Sequence, residues 1–466
     1  PRHSGFDKDT LEGFVRGPLH KYARSSLIRA IPSIDGFKES TRKIMWTCLK
    51  KGLYGEKKNI KVSELAGLVS KFAKYHHGET SLQGAIVTLA RRYTTVNNQP
   101  LLVDSGQFGS YISGGADSAS ARYLFTYLED ICQYMFNPSD FNVLPRTLVD
   151  GEQAEPKLLA PLLPIALLNG TAGIATGFST NIYPHSAKDL IAATLCILKG
   201  KSVPTIIPSF RDWKGAISCH DGGFISRGTC TKLSKVQIRV HSLPIGVCPN
   251  AFEKTLSKLK DKHKIKTFDV QHFENGPQFL ISFTDAECCR ELQDKLLVRG
   301  HSTNNMHLLN KMGELKRYSN IRDILEEYVE FKLQITRMRL RFEIETLRTT
   351  LLSVQAIQTF IELFLNGDIE FKGKSDQELN NTLHRYSLRP HAPMLLALPI
   401  RRLTQSEIRK SARTQLQLRA QLTALEGTNA NKTYIKELNA LKKAISTSTK
   451  RKRIDSQCEN RIIKKK

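Results

Sequence analysis

The stretch from Tyr318 to Leu365 contains neither glycine nor proline, and it constrains the fold more than any other part of the sequence. Two apolar tracks run through it at alternating steps of three and four residues, with charged residues between them. They consist of Tyr328, Phe331, Ile335, Met338 and Phe342, and of Leu340, Ile344, Leu347, Leu351 and Val354. These are coiled-coil spacings, so the sequence predicts one long helix here.

A second helical run follows Thr404 and extends towards Ile445, interrupted by GTNAN. A shorter segment with its own turns, LNGDIEFKGKS and LRPHAPM, separates the two runs. Two long helices around a small insert predict an antiparallel coiled coil with a globular cap, although the same heptads also fit an ordinary helical bundle. Beyond them, KRKR at 450–453 and KKK at 464–466 predict a disordered basic tail over 449–466 that contacts DNA or acts as a nuclear-import signal.

The first two thirds of the chain have a different texture. Residues 1–140 mix helical periods with polar turns and hold the histidine-rich and glycine-rich stretches. Residues 141–312 are richer in short β-type runs such as VQIRVHSLPI, FLISF and LLPIALL, and turn signals such as DGG and NGP separate them. This pattern predicts an α+β domain over 141–312, and hence a multidomain α+β protein.

The charge balance points to a partner. Lysine and arginine total 70 against 44 acidic residues, a formal charge of +26, and such an excess favours nucleic acid because each neutralised phosphate releases counterions. A membrane partner is not expected, since no apolar run reaches the ~18 residues that a spanning helix needs. The nine cysteines form no CxxC pair, which predicts reduced thiols in an intracellular protein rather than a zinc ribbon or a disulfide framework.

Two tyrosines are candidate nucleophiles, because Tyr123 in SASARY and Tyr93 in ARRY each follow an arginine. From local composition alone they are close to equivalent, but Tyr123 follows the glycine-rich stretch DSGQFGSYISGG, and a nucleophile must project from a rim. Phenols ionise at pH ~10, so an adjacent arginine and a metal ion are needed to favour the phenolate and screen the phosphate. YHHGE, which contains His76 and His77, fits a phosphate contact at a helix start better than a paired metal site.

Four long motifs occur in order: IPSIDGFKESTRKIMWTCLKKG, YHHGETSLQGAIVTLA, GQFGSYISGGADSASARYLFTYL and EPKLLAPLLPIALLNGTAGIATGFSTNIYPHS. Together they resemble the DNA breakage–reunion region of the type IIA DNA topoisomerases. The resemblance is dense over about residues 10–185 and continues in LALPIRRLT. The wording of HHGE and of SARYLFT is most similar to the eukaryotic, viral or phage branch.

The resemblance implies a role for individual residues. Tyr123 matches the family's nucleophile and Arg122 the residue that holds the scissile phosphate, so Tyr93 becomes a structural tyrosine. Five further residues match backbone-phosphate contacts: Lys38, Arg42, Lys43, His76 and His77. Ile174 in GTAGIATG matches the apolar wedge that enters between bases and bends the DNA.

It also implies an architecture and a reaction. The expected order is a winged-helix domain over 1–140, a tower domain over 141–312, a coiled coil over 313–355 and 404–448, and a C-gate dimerisation domain over 356–403. In the reaction the tyrosine becomes linked to a 5′-phosphate, two protomers cut opposite strands, a second duplex passes through, and resealing reverses the cut.

The parts that the family needs and this sequence lacks are equally informative. Magnesium is expected on a TOPRIM domain and ATP on a further domain, both outside this chain, so no metal ligands are predicted within it. The expected partners are double-stranded DNA, a second copy through the C-gate, and the TOPRIM and ATPase parts. Such a chain either pairs with another subunit or is a piece cut from a longer polypeptide, and the start at Pro1 favours the latter. The expected location is wherever that DNA lies: nucleus, nucleoid, or a viral replication site in host cytoplasm.

Two alternatives remain at this level. A tyrosine recombinase would form a 3′-phosphotyrosine and needs an Arg/His set near the C-terminus, where the sequence offers a basic helical run. A non-catalytic DNA-clamping protein would bind DNA with Tyr123 merely packed.

Overall fold

The computed structural model of the protein describes residues 10–273, 276–370 and 373–463. Residues 1–9 of the predicted first domain and the KKK cluster at 464–466 lie outside the described residues. The chain divides into two compact units, one formed by residues up to 332 and from 435 onward, the other by residues 333–434.

The first unit begins with a group of helices that carries the candidate site. They are α1 (Leu11–Phe14), α2 (His20–Ala30), α3 (Glu39–Lys51), α4 (Val62–Phe72), α5 (Glu79–Ala90) and α6 (Cys132–Met135). Helices α3, α4 and α5 bury Ile44, Leu65 and Ile86 completely, which gives this region an apolar core. A short antiparallel pair, β1 (Ile60–Lys61) and β2 (Phe125–Thr126), brings the segment that follows Tyr123 against the start of α4.

The middle of the chain mixes strands with helices, as predicted. Its helices are α7 (Ile165–Leu168), α8 (Ala187–Leu198), α9 (Pro249–Asp261) and α10 (Ala286–Leu297). Its strands are β3 (Arg146–Val149), β4 (Glu152–Pro156), β5 (Thr171–Ala175), β6 (Phe178–Ile182), β7 (Ala216–His220), β8 (Gly223–Arg227), β9 (Thr229–Lys232), β10 (Gln237–Ser242), β11 (Ile265–Phe273), β12 (Gly276–Phe283), β13 (Val298–Ser302), β14 (His307–Leu309) and β15 (Leu315–Arg317).

These strands form antiparallel sheets. The larger two have strand orders β11-β12-β10-β9 and β13-β8-β7, while β3–β4, β5–β6 and β14–β15 are two-stranded pairs. Along β12 every second residue is buried, so one face of that sheet packs on α9 and α10 through Phe252, Phe279 and Leu292. VQIRVHSLPI and FLISF thus supply β10 and β12, as predicted.

The expectation of a β-type run at LLPIALL was wrong. These residues lead into α7, which follows Pro164 and is buried throughout. A short apolar run does not distinguish a buried strand from a buried helix, and the fixed φ of Pro164 suits the position just before a helix.

The long helix predicted from the apolar tracks is confirmed as α11 (Ile321–Leu365). Its first turns are anchored in the first unit, where the Tyr328 hydroxyl donates to the Pro161 carbonyl oxygen and Lys332 Nζ pairs with Asp140 Oδ2 at 2.6 Å. The first apolar track is buried at Tyr328, Phe331 and Ile335, whereas Met338 and Phe342 are exposed. The spacing predicted the helix but not how far its apolar stripe is covered.

The second unit holds the rest of α11 with α12 (Asp376–Arg385), α13 (Ala392–Leu396), α14 (Gln405–Glu426) and the start of α15 (Ala430–Ile463). Arg348 Nη2 donates to Glu426 Oε1 at 2.7 Å, and Gln415 Nε2 donates to Gln358 Oε1 at 2.8 Å. Since the residue number rises along α11 while it falls along α14 between these contacts, the two helices run antiparallel. The end of α11 and the segment that follows it form a small apolar core, which consists of Ala356, Phe360, Ile369, Leu383, Leu388, Ala392 and Leu395.

The chain end differs from the prediction. Helix α15 continues to Ile463, so the backbone of residues 449–463 is helical rather than disordered. Within the described part of the chain, no helix is both long enough and apolar enough to cross a bilayer.

Candidate active site

Tyr123 lies at the end of a single 3₁₀ turn, Ala121–Tyr123, between the glycine-rich stretch and β2. Its side chain is 63% exposed, which is unusual for a large aromatic residue. The guanidinium carbon of Arg122 lies 4.8 Å from the centre of the Tyr123 ring, and Arg122 is itself exposed. A phenol beside a solvent-facing cation can attack an anionic centre, because the cation screens the repulsion between phenolate and phosphate.

The backbone around Tyr123 is held on both sides. Its N–H donates to the Ser120 carbonyl oxygen at 2.9 Å, and Phe125 exchanges both backbone hydrogen bonds with Ser105. The Val62 N–H at the start of α4 donates to the carbonyl oxygen of the buried Leu124 at 2.9 Å. The positive end of the α4 dipole therefore lies one residue from Tyr123, where it favours negative charge.

Tyr93, the competing tyrosine, has a different environment. It is half-buried, and burial raises the pKa of its phenol. Its hydroxyl packs so closely on Gly115 that a Cβ there would lie 2.5 Å from the Tyr93 oxygen. This geometry separates two tyrosines that the sequence left close to equivalent.

His76 and His77 are both exposed just before α5, whose first turn has no side-chain cap at Gly78. His76 Nε2 lies 3.9 Å from Asp150 Oδ2, and the His77 ring meets the edge of Tyr75 with centroids 5.4 Å apart. Uncapped N–H groups at a helix start, next to two imidazoles, form a surface suited to an anion.

Arg42 does not face solvent, contrary to the expectation of a phosphate contact. It lies in α3 at 7% exposure, with Nε and Nη2 each 3.0 Å from the oxygens of Asp35. The Asp35 carboxylate is completely buried and also accepts the N–H groups of Phe37 and Leu159. Arg42 thus neutralises a buried carboxylate, because an uncompensated buried charge is costly.

Lys43 likewise does not fit the expected phosphate contact. It is 2% exposed, and its Nζ donates to Glu155 Oε2 at 2.8 Å and to the Ala73 carbonyl oxygen at 2.7 Å. Lys38 is different: it is half-buried, burial lowers the pKa of its ammonium, and among the described residues it makes no ion pair. Of the three residues expected to contact phosphate here, Lys38, Arg42 and Lys43, only Lys38 makes no ion pair among the described residues.

Ile174 is 85% exposed, on the β5 side of the β5–β6 hairpin. The hairpin turn is Thr176–Gly177, where Gly177 has a φ of +80° that other residues rarely adopt. The strand is held from behind, since a Cβ at Gly173 would lie 2.3 Å from the Ala30 carbonyl oxygen. A large apolar side chain is therefore presented to solvent on a supported hairpin.

Sequence reasoning missed the residues that fold the glycine-rich stretch. Arg91 donates from Nε to the Phe108 carbonyl oxygen at 3.1 Å and from Nη2 to that of Gly115 at 2.8 Å. The Asp117 carboxylate gathers four hydrogen bonds from the same stretch. Hydrogen bonds thus hold the glycine-rich stretch in one fold; in the sequence, only the adjacent ARRY and GGAD motifs gave a signal of this. Among the described residues, no group of three His, Cys, Asp or Glu side chains could hold a metal ion.

Comparisons with known proteins give a consistent result. The family model for the A subunit of DNA gyrase/topoisomerase IV matches residues 29–442. A protein of Caenorhabditis elegans named "Putative DNA topoisomerase 2, mitochondrial" is 32% identical over 95% of this chain and 40% of its own length. DNA topoisomerase 2 of Acanthamoeba polyphaga mimivirus is 28% identical over 91% of this chain and 40% of its own. The chain therefore spans less than half the length of these relatives.

Among solved structures, the chain is similar to the Plasmodium falciparum topoisomerase II DNA-binding, cleavage and re-ligation domain. The TM-score is 0.85 at 25% identity, and the match covers 95% of this chain and 65% of the other. The matched residues come from both units of the chain, so the similarity extends well beyond residues 10–185, where the motifs are dense.

Proposed function

This chain belongs to the family of the DNA gyrase/topoisomerase IV A subunits, and on that premise we propose that it is the DNA breakage–reunion part of a type IIA DNA topoisomerase, an ATP-hydrolysing isomerase. The observation that carries the proposal is Tyr123: an exposed phenol beside the exposed guanidinium of Arg122, inside the matched region. A packed tyrosine of a merely DNA-clamping protein has no need of either feature.

In the proposed reaction the Tyr123 oxygen attacks a backbone phosphorus in line with the bond to the 3′-oxygen. The phosphorus–oxygen bond to the 3′ side breaks as the tyrosine–phosphorus bond forms, leaving a 5′-phosphotyrosine and a 3′-hydroxyl. Arg122 contacts the non-bridging oxygens, whose charge increases in the transition state. Resealing is the reverse attack by the 3′-hydroxyl, so the phosphotyrosine keeps the energy that religation needs.

The DNA path is proposed from three features of the first unit. His76 and His77, at the start of α5, contact backbone phosphate, and His77 is the expected closer contact. Lys38 adds a cation without a carboxylate partner among the described residues. Ile174 enters between two bases and bends the duplex, as apolar wedges do at kinked steps.

The domain assignments belong to the same proposal. Residues up to 140 act as a winged-helix domain and 141–312 as a tower; the antiparallel α11 and α14 form the coiled coil, and 356–403 form the C-gate through which two copies pair. The small core around Phe360 supports a folded cap in the last of these segments.

The cofactors are proposed to act from outside this chain. Mg²⁺ is expected on a TOPRIM region and ATP on an ATPase region; among the described residues, no group of three His, Cys, Asp or Glu side chains could hold a metal ion. The location is proposed only as the compartment that holds the DNA, since the relatives include proteins named mitochondrial and one of a virus.

The test is covalent trapping on linear DNA, with the chain joined to a TOPRIM region and supplied with magnesium. Detergent stops the reaction, and the DNA end that carries protein is identified. We expect protein on 5′ ends, complete loss in Tyr123→Phe, and an unchanged DNA affinity in that variant. Tyr93→Phe is the matched control and should keep the adduct.

Other outcomes lead elsewhere. Protein on 3′ ends points to a tyrosine recombinase, and binding without any adduct points to a DNA clamp. An adduct that survives Tyr123→Phe would refute the assigned nucleophile.

A further inference from the structure

The glycine-rich stretch between Gln107 and Ala116 folds back on itself, so that its two ends are in contact. A Cβ at Gly109 would lie 2.7 Å from the Gly115 Cα, and both glycines have positive φ, +103° and +86°. The two limbs of the loop therefore touch backbone to backbone. Such an approach suits glycine alone and leaves little room for the loop to move.

The carboxylate of Asp117, at the C-terminal end of the loop, accepts hydrogen bonds from several loop residues. Asp117 accepts hydrogen bonds from the Ser110 N–H at 2.8 Å, the Ser110 hydroxyl at 2.6 Å, Gln107 Nε2 at 3.1 Å, and the Ser113 hydroxyl. The hydrogen bonds from the Ser110 and Ser113 side chains lower the pKa of this carboxyl, which keeps it charged. An ionised acceptor makes each of these bonds stronger than a neutral pair would.

The loop is tied to the nucleophile by a short path. Gln107, which donates to Asp117, also accepts the Ala119 N–H on its carbonyl oxygen at 2.8 Å. The next residue, Ser120, accepts the Tyr123 N–H. Two backbone bonds thus connect the loop held by Asp117 to the turn that presents Tyr123.

The far tip of the loop is fixed from the α9 side. The Asn250 N–H in the first turn of α9 donates to the Ile112 carbonyl oxygen at 3.0 Å. Cys248, just before that helix, packs on Gly114, where an added Cβ would lie 3.5 Å from its sulfur. The loop therefore spans from the β-rich middle of the chain to the candidate nucleophile.

We infer that Asp117 is a positioning residue for Tyr123: it holds the glycine-rich loop as a rigid brace between α9 and the 3₁₀ turn that carries the nucleophile. Asp117 touches neither the phenol nor DNA in this role. It acts by restricting the directions from which Tyr123 reaches the phosphorus, and in-line attack tolerates little misalignment. The inference deepens the proposed function and rests on it for its catalytic readout.

The experiment compares wild type with Asp117→Ala, Asp117→Asn and the exposed control Asp261→Ala, all joined to a TOPRIM region with magnesium. At saturating DNA we expect Asp117→Ala to form the covalent adduct about tenfold to a hundredfold more slowly, with DNA affinity unchanged. Asp117→Asn keeps one carbonyl acceptor for Ser110 and should recover part of the rate. Asp261→Ala should match wild type.

Amide hydrogen exchange supplies a readout that does not depend on cleavage. We expect faster exchange in Asp117→Ala at Ala119 and Tyr123, whose amides do not bond to Asp117 directly, and partial protection in Asp117→Asn. Unchanged exchange at both amides would overturn the inference, even if wild type formed no adduct and the proposed function itself had failed. It would also be overturned if a substrate with a 3′-bridging sulfur restored the rate of Asp117→Ala, because the defect would then lie in expelling the leaving group.

Discussion

Two arginine-centred clusters of the first unit look alike in sequence and differ in the structure. Arg42 in ESTRKI and Arg122 in SASARY were both expected to hold phosphate. Arg122 is exposed over the ring of Tyr123. Arg42 is buried, and its Nε and Nη2 atoms donate to the carboxylate of the completely buried Asp35. The same type of side chain pairs with a buried carboxylate in one place and is exposed to solvent in the other.

The difference lies in what surrounds each guanidinium. Asp35 is seven residues before Arg42 and is placed under it by the turn that precedes α3, so the cation already has its anion. Arg122 has no carboxylate within ion-pair distance among the described residues, and its neighbour is a phenol. An arginine is available for phosphate only where the fold leaves its charge uncompensated.

Of the substitutions that test this comparison, Arg42→Ala should have the largest effect. It should lower the free energy of unfolding by about 3–5 kcal/mol, because it leaves the Asp35 charge buried without its partner. Thermal and urea unfolding measure this loss, and Arg122→Ala is the control, with an expected change below about 0.5 kcal/mol. A normal stability for Arg42→Ala together with weakened DNA binding would restore the phosphate role to Arg42.

A buried histidine sharpens the comparison through pH. His185 is 1% exposed, and burial lowers its pKa to about 4, although the Leu167 carbonyl oxygen and Asp189 act in the opposite direction. The unfolded chain, with an ordinary histidine pKa, binds the proton first as the pH falls. Stability should therefore decline between about pH 6.5 and pH 4, by about 3 kcal/mol.

This slope is measured by urea unfolding at several pH values, in wild type and in His185→Gln. The variant should be less stable overall but should lose less stability between pH 6.5 and pH 4. An equal slope in both proteins would mean that another group titrates on unfolding. Unlike Arg42 and Lys43, His185 has no carboxylate bonded to it within the described part of the chain, and burial therefore favours its neutral form.

The smallest expected effect concerns Ile174. Ile174→Ala should change the free energy of unfolding by less than about 0.5 kcal/mol, because the side chain buries almost nothing. DNA affinity should remain within a few-fold while bending decreases, measured by energy transfer between labels on the DNA ends. Leu148→Ala, another exposed apolar residue, is the matched control, and equal bending in wild type and Ile174→Ala would remove the wedge.

Several elements of the fold followed directly from local pattern. The helix α11 was predicted because forty-five residues without a breaker keep one apolar period, and β10 and β12 because alternation sets one face of a strand. The prediction of a strand at LLPIALL was wrong because this apolar run is too short for its periodicity to distinguish a strand from a helix. The prediction of a disordered tail was wrong because a high density of charge alone does not prevent a helix from continuing.

For the proposed site, the sequence pointed to Tyr123 through three features: the loop before it, the arginine beside it and the family motif around both. It could not identify Asp117 or Arg91, whose hydrogen bonds depend on the loop folding back on itself. It also could not separate Arg42 from Arg122.

What the sequence by itself determined is therefore the periodic elements, the strongly basic character and the family motifs, because these depend on residues near one another in the chain or on composition. What only the tertiary structure decided is which charges are already satisfied. Lys43 meets Glu155 across 112 residues, and no local pattern encodes that contact. Burial and pairing are properties of the folded chain, and they determine which of its many cations can still bind a phosphate.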